Sequence, residues 1–255
     1  MPKFDLSFAS PLMNAAGSLG FYPNPDSALG LSSLGAFVTN PISLRPRAPA
    51  RSCRLLSFPG GFLLHTGYPN PGLRAVLRHY SARWARATIP IIVHLLGEDA
   101  DRVSEMVRRL ETTPGVEGFE ISLPPKASPD TALWLARAAV GELPVIMRLP
   151  MDRATTLASA LSGLPGETCP FTISLGPPRG VLPGQEKGHI QGRMYGPAVF
   201  PLALATVHAL VETGWPVIGG GGVYSAQQAE AMLAAGAIAV QLDAVFWRGG
   251  NITFK

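Results

Sequence analysis

Eight short apolar runs alternate with segments of helical periodicity, and this alternation most constrains how the chain can fold. Several of the runs, such as IIVHLL and VIMRL, are continuously apolar. Runs of this kind are typical of parallel strands that are covered on both faces. The predicted strands are residues 11–17, 36–40, 90–97, 118–123, 144–150, 171–176, 217–222 and 238–243. Eight such strands in 255 residues predict an α/β fold, a (β/α)8 TIM barrel that forms a single domain over residues 1–255.

Two segments are too long to be plain connections between a strand and the next helix. Residues 41–71 are rich in Pro, Arg and Gly, and we expect them to form an excursion over the C-terminal mouth of the barrel. Residues 177–196 are predicted to form a second long loop. Only residues 244–255 follow the eighth strand, which predicts a truncated or missing last helix. Because an exposed apolar strand face rarely stays bare, this flank predicts a homo-oligomer or a partner subunit.

The composition excludes several classes of protein. Hydrophobic residues make up 47% of the chain and charged residues 15%, which excludes intrinsic disorder. Two widely separated cysteines, Cys53 and Cys169, suggest a reducing compartment, and no metal-ligand spacing stands out. No secretory signal or run of 18 apolar residues is present, so we expect a cytoplasmic protein with no membrane contact. The net charge of +4 is mild and no aromatic ladder accompanies the arginines, so we expect no nucleic-acid partner.

A run of four glycines, Gly219–Gly222, follows the seventh predicted strand and leads into a helix that Ser225 can cap. Glycines let backbone N–H groups approach an anion closely, and the helix N-terminus adds partial positive charge. The run therefore predicts a phosphate site, with a tight turn that needs positive φ as the structural alternative. Asp243, at the end of the eighth strand, opposes a phosphate there, since a like charge at about 5 Å costs roughly 3 kcal/mol at an effective dielectric constant near 20.

Arg148 lies in the middle of the fifth predicted strand, between Met147 and Leu149. A charge at such a position is costly unless it points into the barrel mouth and finds a partner. A bound anion or an electron-rich ring is the functional interpretation, and an ion pair with Glu120 is the structural one. His65, in the first long excursion, is a further residue that can reach the mouth.

Eight segments, in this order and spacing, together carry a resemblance to a known family. They are residues 11–17, 35–43, 59–61, 67–72, 90–124, 192–198, 216–222 and 235–241. The chain resembles the FMN-dependent dihydroorotate dehydrogenases over nearly its whole length, and is nearest to the soluble class 1 enzymes. The resemblance implies FMN at the C-terminal mouth of the barrel. It also implies oxidation of dihydroorotate to orotate in pyrimidine biosynthesis, with the flavin taking a hydride and a Cys or Ser acting as base.

The resemblance also implies a set of site residues. The cofactor-binding residues are Ala16, Gly17, Asn40, Arg148, Ser174, Gly196, Gly220, Gly221 and Gly222. Among them Ala16 and Gly17 match the backbone beside the flavin ring. Arg148 stands where the family has a lysine whose charge stabilises reduced flavin. Asn70 matches a substrate-binding asparagine of the family, and His65 is a second candidate for binding the substrate.

The sequence departs from the family where the chemistry takes place. The replacements are Asn40 for a lysine, Leu64 for an asparagine, Ser174-Leu175 for Asn-Thr and Asp243-Ala244 for the phosphate-binding Gly-Thr. The catalytic-base position holds Pro125 or Leu123, so the base is unassigned; the candidate substitutes are His65, Lys126 and Ser174. The prediction is therefore an FMN-dependent oxidoreductase of the dihydroorotate dehydrogenase type, or a diverged relative that acts on another small molecule. The alternative is a non-catalytic barrel paralogue that serves as a binding or assembly subunit.

Overall fold

The computed structural model describes residues 6, 8–24, 31–51, 54–162, 171–184 and 188–248. The strands are β1 Leu12–Asn14, β2 Phe37–Val38, β3 Arg54–Phe58, β4 Gly61–His65, β5 Ile91–Leu96, β6 Val116–Ser122, β7 Val145–Pro150, β8 Phe171–Gly176, β9 Arg179–Pro183, β10 His189–Tyr195, β11 Val217–Gly220 and β12 Ala239–Leu242. The α-helices are α1 Leu73–Trp84, α2 Ala100–Leu110, α3 Pro129–Ala139, α4 Ala154–Leu161, α5 Phe200–Val211 and α6 Ala226–Ala234.

Eight parallel strands form the barrel in the order β1-β12-β11-β8-β7-β6-β5-β2. A parallel bridge between Met13 and Ala36 joins β1 to β2 and brings the two ends of this sheet together. The predicted TIM barrel is confirmed. Seven of the predicted strands contain an observed barrel strand, and β6 begins two residues before the predicted segment 118–123. Both cysteines, Cys53 and Cys169, lie outside the described residues, as do residues 163–170 and 249–255.

The barrel interior has an apolar layer beneath a polar one. The apolar layer is a separate buried cluster of Met13, Ala36, Val38, Ile92, Ile146, Ile218 and Ala239. Residues two apart on a strand share a face, so the position after next on β5, β7, β11 and β12 also faces inward. These positions hold His94, Arg148, Gly220 and Gln241. The strand period therefore places polar groups toward the C-terminal ends of the strands, where TIM barrels carry their sites.

The two long excursions differ from the loops that the sequence predicts. Their strands β3, β4, β10 and β9 pair in this order as a four-stranded antiparallel sheet, which we call the cover sheet. Leu63 and Leu64 of β4 lie opposite Met194 and Arg193 of β10, more than 120 residues later in the chain. A pairing between such distant segments leaves no signal in local periodicity, which is why the sequence predicts two separate loops.

The structure describes residues 243–248 after the last barrel strand. After β12 the described residues contain a 3₁₀ turn, Phe246–Arg248, and no further α-helix up to residue 248. Trp247 is partly exposed, and its indole N–H donates to the carbonyl of Ser18 at 3.3 Å. The Trp247 ring lies 5.3 Å from that of Tyr195 and 5.8 Å from that of Phe62, so this tail is packed against the cover sheet. Among the described helices, none has the length and apolar character needed to cross a membrane.

Candidate functional site

Glu120 of β6 is the centre of a buried polar network inside the barrel. Its Oε2 lies 2.5 Å from His94 Nδ1 and 3.2 Å from Arg148 Nη1. Its Oε1 accepts hydrogen bonds of 2.7 Å from Ser174 Oγ and from Gln241 Nε2. The strands β5, β7, β8 and β12 thus each supply one donor to one carboxylate. Glu120 and Ser174 are fully buried, and this network satisfies the carboxylate on both oxygens.

The residues around Glu120 and His94 determine the protonation states of these two side chains. Burial alone would raise the pKa of Glu120, but the Arg148 cation and the hydrogen bonds from His94 and Ser174 outweigh it and hold the pKa far below its ordinary value. Burial lowers the pKa of His94, which therefore donates Nδ1–H to the carboxylate as a neutral ring. Its Nε2 is buried and has no hydrogen-bond partner among the described residues. The sequence-level alternative for Arg148, an ion pair with Glu120, is thus present in the structure.

A cavity of about 60 Å³, which we call the mouth cavity, lies between the strand ends and the cover sheet. Its lining residues are Tyr68, Ser122, Leu123, Pro125, Arg148, Pro150, Gly176, Pro177, Arg179 and Arg193. Since a water molecule occupies about 10–15 Å³ on this measure, the cavity has room for a small molecule of several atoms. Arg148 therefore touches Glu120 on one side and this cavity on the other. The cavity is also lined by Leu123 and Pro125, the two residues that the sequence resemblance predicts at the catalytic-base position.

The glycine turn after β11 leaves backbone donors unpaired. Gly221 and Gly222 have φ of +109° and +71°, values that favour glycine. The turn also packs closely, since a Cβ on Gly222 would lie 2.6 Å from the backbone nitrogen of Phe200. The N–H groups of Gly222 and Val223 are in buried residues and have no acceptor among the described residues. The glycine run thus forms the tight turn with positive φ that the sequence analysis gives as the structural alternative. It also leaves two N–H groups without an acceptor among the described residues, as a phosphate site requires.

The Asp243 carboxyl accepts hydrogen bonds from backbone N–H groups in the turn after β12. Its Oδ1 accepts the N–H of Ala244 at 2.5 Å, and its own N–H also bonds to the carboxyl. Burial raises the pKa of Asp243, and the bonds from these N–H groups and the nearby Arg148 only partly oppose that effect. The backbone donors of residues 243 and 244 are therefore already used by a carboxyl group of the chain itself.

Two predicted asparagines have structural partners on the excursion side. Asn70 Oδ1 accepts the N–H of Ser43 at 3.2 Å and the N–H of Gly72 at 3.0 Å, and its Nδ2 donates to the carbonyl of Tyr68. Asn40 Oδ1 accepts the N–H of Gly20 at 3.1 Å. These bonds hold the start of α1 and the loop after β1. Substrate and cofactor contacts of Asn70 and Asn40 stay predictions.

The remaining predicted residues are distributed around the same mouth. Ala16 and Gly17 directly follow β1, and Gly17 has a φ of +90°. Gly196 ends β10 with a φ of +121°, and a Cβ there would lie 2.5 Å from the carbonyl oxygen of Gly60. Ser174 is bound to Glu120, and His65 pairs with residue 54 at the far end of the cover sheet. The mouth cavity is lined by neither Ser174 nor His65, and Lys126 is exposed beside it.

Tyr68, Arg179 and Arg193 line the cavity but were not among the predicted site residues. Arg193 lies over the ring of Tyr68, with its guanidinium carbon 3.4 Å from the ring centroid. Tyr68 has a φ of +56°, an unusual value for a residue that is not glycine. Only the arginines among them carry a sequence signal, since a charged residue in a Gly- and Pro-rich segment of a barrel mouth is a candidate ligand residue.

Comparison with known proteins agrees with this architecture. The family model described as Dihydroorotate dehydrogenase matches residues 3–143, which is more than half of the chain. The chain belongs to the dihydroorotate dehydrogenase family. It is 31% identical to "Dihydroorotate dehydrogenase B (NAD(+)), catalytic subunit" of Desulforudis audaxviator, over 92% of this chain and 82% of that protein. The proteins of the same name from Geotalea daltonii and Thermodesulfovibrio yellowstonii are each 29% identical to it, over 95% and 93% of this chain and 87% and 84% of theirs. Relatives in this family thus align with the barrel and with the cover sheet.

Proposed function

We propose that this chain is an FMN-dependent oxidoreductase of the dihydroorotate dehydrogenase type, a diverged relative that acts on a small molecule other than dihydroorotate. The observation that carries the proposal is the pair of unpaired N–H groups at Gly222 and Val223 in a barrel of this family. They lie just before α6, whose N-terminus adds partial positive charge. Buried donors without an acceptor are rare in proteins, and adjacent backbone N–H groups at a helix N-terminus are a typical binding site for an anion.

The residues present fit FMN on the β11 side of its expected phosphate site. The free N–H groups of Gly222 and Val223 would hold phosphate oxygens. Ala16 and Gly17, in the loop after β1, would present backbone for the ring. On the β12 side the N–H groups of residues 243 and 244 are used by the Asp243 carboxyl. We therefore propose that phosphate is held mainly by the β11 turn, and less tightly than a pair of open turns would hold it.

When bound, FMN would supply the hydride acceptor for the oxidation of a substrate. Arg148 would keep a positive charge beside the electron-rich edge of the ring, where it favours the reduced, anionic form. Glu120 holds the Arg148 guanidinium in place through Nη1. The mouth cavity, lined by prolines and Leu123, would exclude bulk water from the reacting atoms.

We propose a substrate other than dihydroorotate because the predicted catalytic-base position holds no Cys or Ser. Neither Leu123 nor Pro125 can accept a proton, and of the three candidate substitutes Ser174 is committed to Glu120. The hydroxyl groups that line the mouth cavity belong to Tyr68 and Ser122. General-base catalysis typically contributes about 10²–10⁴-fold, so dihydroorotate oxidation at the family's rate is not expected.

A partner subunit is part of the same proposal. The relatives named above are described as catalytic subunits, which supports an assembly with a second protein. The flank beside β12, where Ile238 and Trp247 are partly exposed, is the docking place that the sequence predicts. Mass measurement of the native complex purified from its own cells tests this: a mass equal to the chain alone contradicts it.

Reconstitution with FMN tests the proposed activity. The purified protein is incubated with excess FMN, separated from free flavin and examined by visible absorption, first in air and then without oxygen. Retention of about one flavin per chain supports the proposal. A protein that comes out colourless overturns the redox function and leaves the non-catalytic binding or assembly barrel.

A further inference from the structure

Two arginines of the cover sheet lie directly opposite each other. Arg179 of β9 and Arg193 of β10 are register partners in the antiparallel ladder, and both line the mouth cavity. Like charges directly opposite each other destabilise an antiparallel pair. Within the parts of the chain that the structure describes, no carboxylate lies within 4.0 Å of either guanidinium. The sheet therefore carries two neighbouring positive charges, the exposed Arg179 and the more buried Arg193, and neither has a carboxylate partner in the described chain.

The cost of this arrangement is increased by burial. Arg193 is largely removed from solvent, and its pKa is lowered by that burial and by the nearby Arg148 and Arg179 cations, against the opposing influence of Tyr68 and Tyr195. Its guanidinium faces the Tyr68 ring, a cation–π contact that orients the group without neutralising it. Tyr68 adopts positive φ to take this position, and strain of this kind is concentrated at ligand sites.

The charges of the cavity can be counted from its lining. Arg148, Arg179 and Arg193 contribute three positive charges, and the lining has no Asp or Glu. Glu120 lies behind Arg148 and compensates one of them. Two positive charges remain, and each belongs to a guanidinium whose planar fork matches a carboxylate or phosphate group.

We propose that the mouth cavity binds a small dianion, with Arg179 and Arg193 as its principal ligands and Arg148 beneath it. The proposal rests on the function proposed above, in which this cavity is the substrate site, and it names the chemical class of that substrate. The cavity volume of about 60 Å³ accommodates a compact molecule. A short dicarboxylate and a phosphate group share this chemistry, and binding measurements separate them.

Binding is measured by calorimetry on the protein as purified, before and after addition of FMN. The probes are succinate and inorganic phosphate, with acetate as the monoanion, at constant ionic strength and about pH 8, where both probes are dianions. We expect one of the dianions to bind at least about tenfold more tightly than acetate. Tight succinate binding identifies a dicarboxylate, and tight phosphate binding identifies a phosphorylated ligand. The proposal is overturned when neither dianion binds better than acetate.

Variants then assign the site. Arg179→Gln and Arg193→Gln are each expected to weaken dianion binding about tenfold or more. Arg108→Gln removes an equal charge from the exposed face of α2 and leaves binding unchanged. Equal affinity in wild type and both cavity variants overturns the assignment, and the wild-type comparison with acetate stands even where a variant does not fold. Colourless protein that binds a dianion contradicts only the flavin proposal, and flavin-loaded protein that ignores dianions contradicts only this one.

Discussion

Glu120 remains ionised inside the barrel because four other barrel strands each direct a donor to it. His94, Arg148, Ser174 and Gln241 satisfy both carboxylate oxygens at distances between 2.5 and 3.2 Å. A buried charge that is fully bonded is tolerated, whereas the same charge with a partner removed is strongly destabilising. The network therefore both fixes Arg148 at the mouth and makes the fold sensitive to any of its members.

Glu120→Gln is expected to lower the free energy of unfolding by about 3–5 kcal/mol at neutral pH, because it leaves Arg148 buried and uncompensated. The depressed pKa adds a pH dependence: stability from Glu120 is present above its ordinary pKa of 4.5 and is lost as pH falls below that value. Urea unfolding at neutral and acidic pH checks both points. The difference between wild type and variant should shrink in acid, and an equal difference at both pH values would contradict the account.

Asp243→Gly is expected to lower the Kd for FMN, since it removes a negative charge and releases the N–H groups of residues 243 and 244. The gain should be about tenfold or more, given the cost of roughly 3 kcal/mol for a like charge at this range. Asp243→Asn is the matched control, because it removes the charge and keeps the shape. Tightening in both variants assigns the effect to charge. Weaker FMN binding in both would show that Asp243 is not a repulsive neighbour.

At the scale of elements, the eight barrel strands could be predicted because the sequence shows their apolar runs and the two-residue period of a strand. The same period could have predicted that His94 and Arg148 share the interior with Glu120. The cover sheet could not be predicted, since β4 and β10 pair across more than 120 residues of chain. The opposition of Arg179 and Arg193 exists only through that sheet, so the dianion site has no local signature.

The tight glycine turn after β11 should tolerate no side chain at Gly222. Gly222→Ala would place a Cβ 2.6 Å from the Phe200 nitrogen at a φ of +71°, and we expect a loss of about 2–5 kcal/mol from combined clash and backbone strain. Gly214→Ala is the control, because Gly214 also has positive φ (+84°) but a Cβ there meets nothing within 4 Å. It should lose only about 1–2 kcal/mol. Equal losses in thermal unfolding would show that Gly222 is not held by close packing.

The whole molecule combines a family barrel with a mouth altered at its reacting positions. The strand order is that of a TIM barrel in a chain of the dihydroorotate dehydrogenase family. We propose that Leu123 or Pro125 stands at the base position, and Arg148, Arg179 and Arg193 line the cavity there. We propose that a barrel with these arginines at its mouth serves a changed substrate. Function in a TIM barrel is determined by such loops more than by the barrel itself.

The rate at which dihydroorotate reduces the bound flavin tests whether dihydroorotate is the substrate of this chain. Under anaerobic conditions we expect dihydroorotate to bleach the flavin at least about 10²-fold more slowly than it does in an enzyme of this family that keeps a Cys or Ser base. Stopped-flow absorbance on both proteins, each loaded with FMN, gives the two rates. Equal rates would return the chain to ordinary dihydroorotate oxidation and would require one of its own groups to serve as the base.

The central claim is that the backbone donors after β11 bind the phosphate of FMN. Amide NMR of the ¹⁵N-labelled protein, titrated with FMN and separately with riboflavin, observes these donors directly. The account predicts that the Gly222 and Val223 signals move downfield and saturate with FMN, and move much less with riboflavin, which lacks the phosphate. Signals that stay in place while FMN binds, or that respond equally to both flavins, would contradict it.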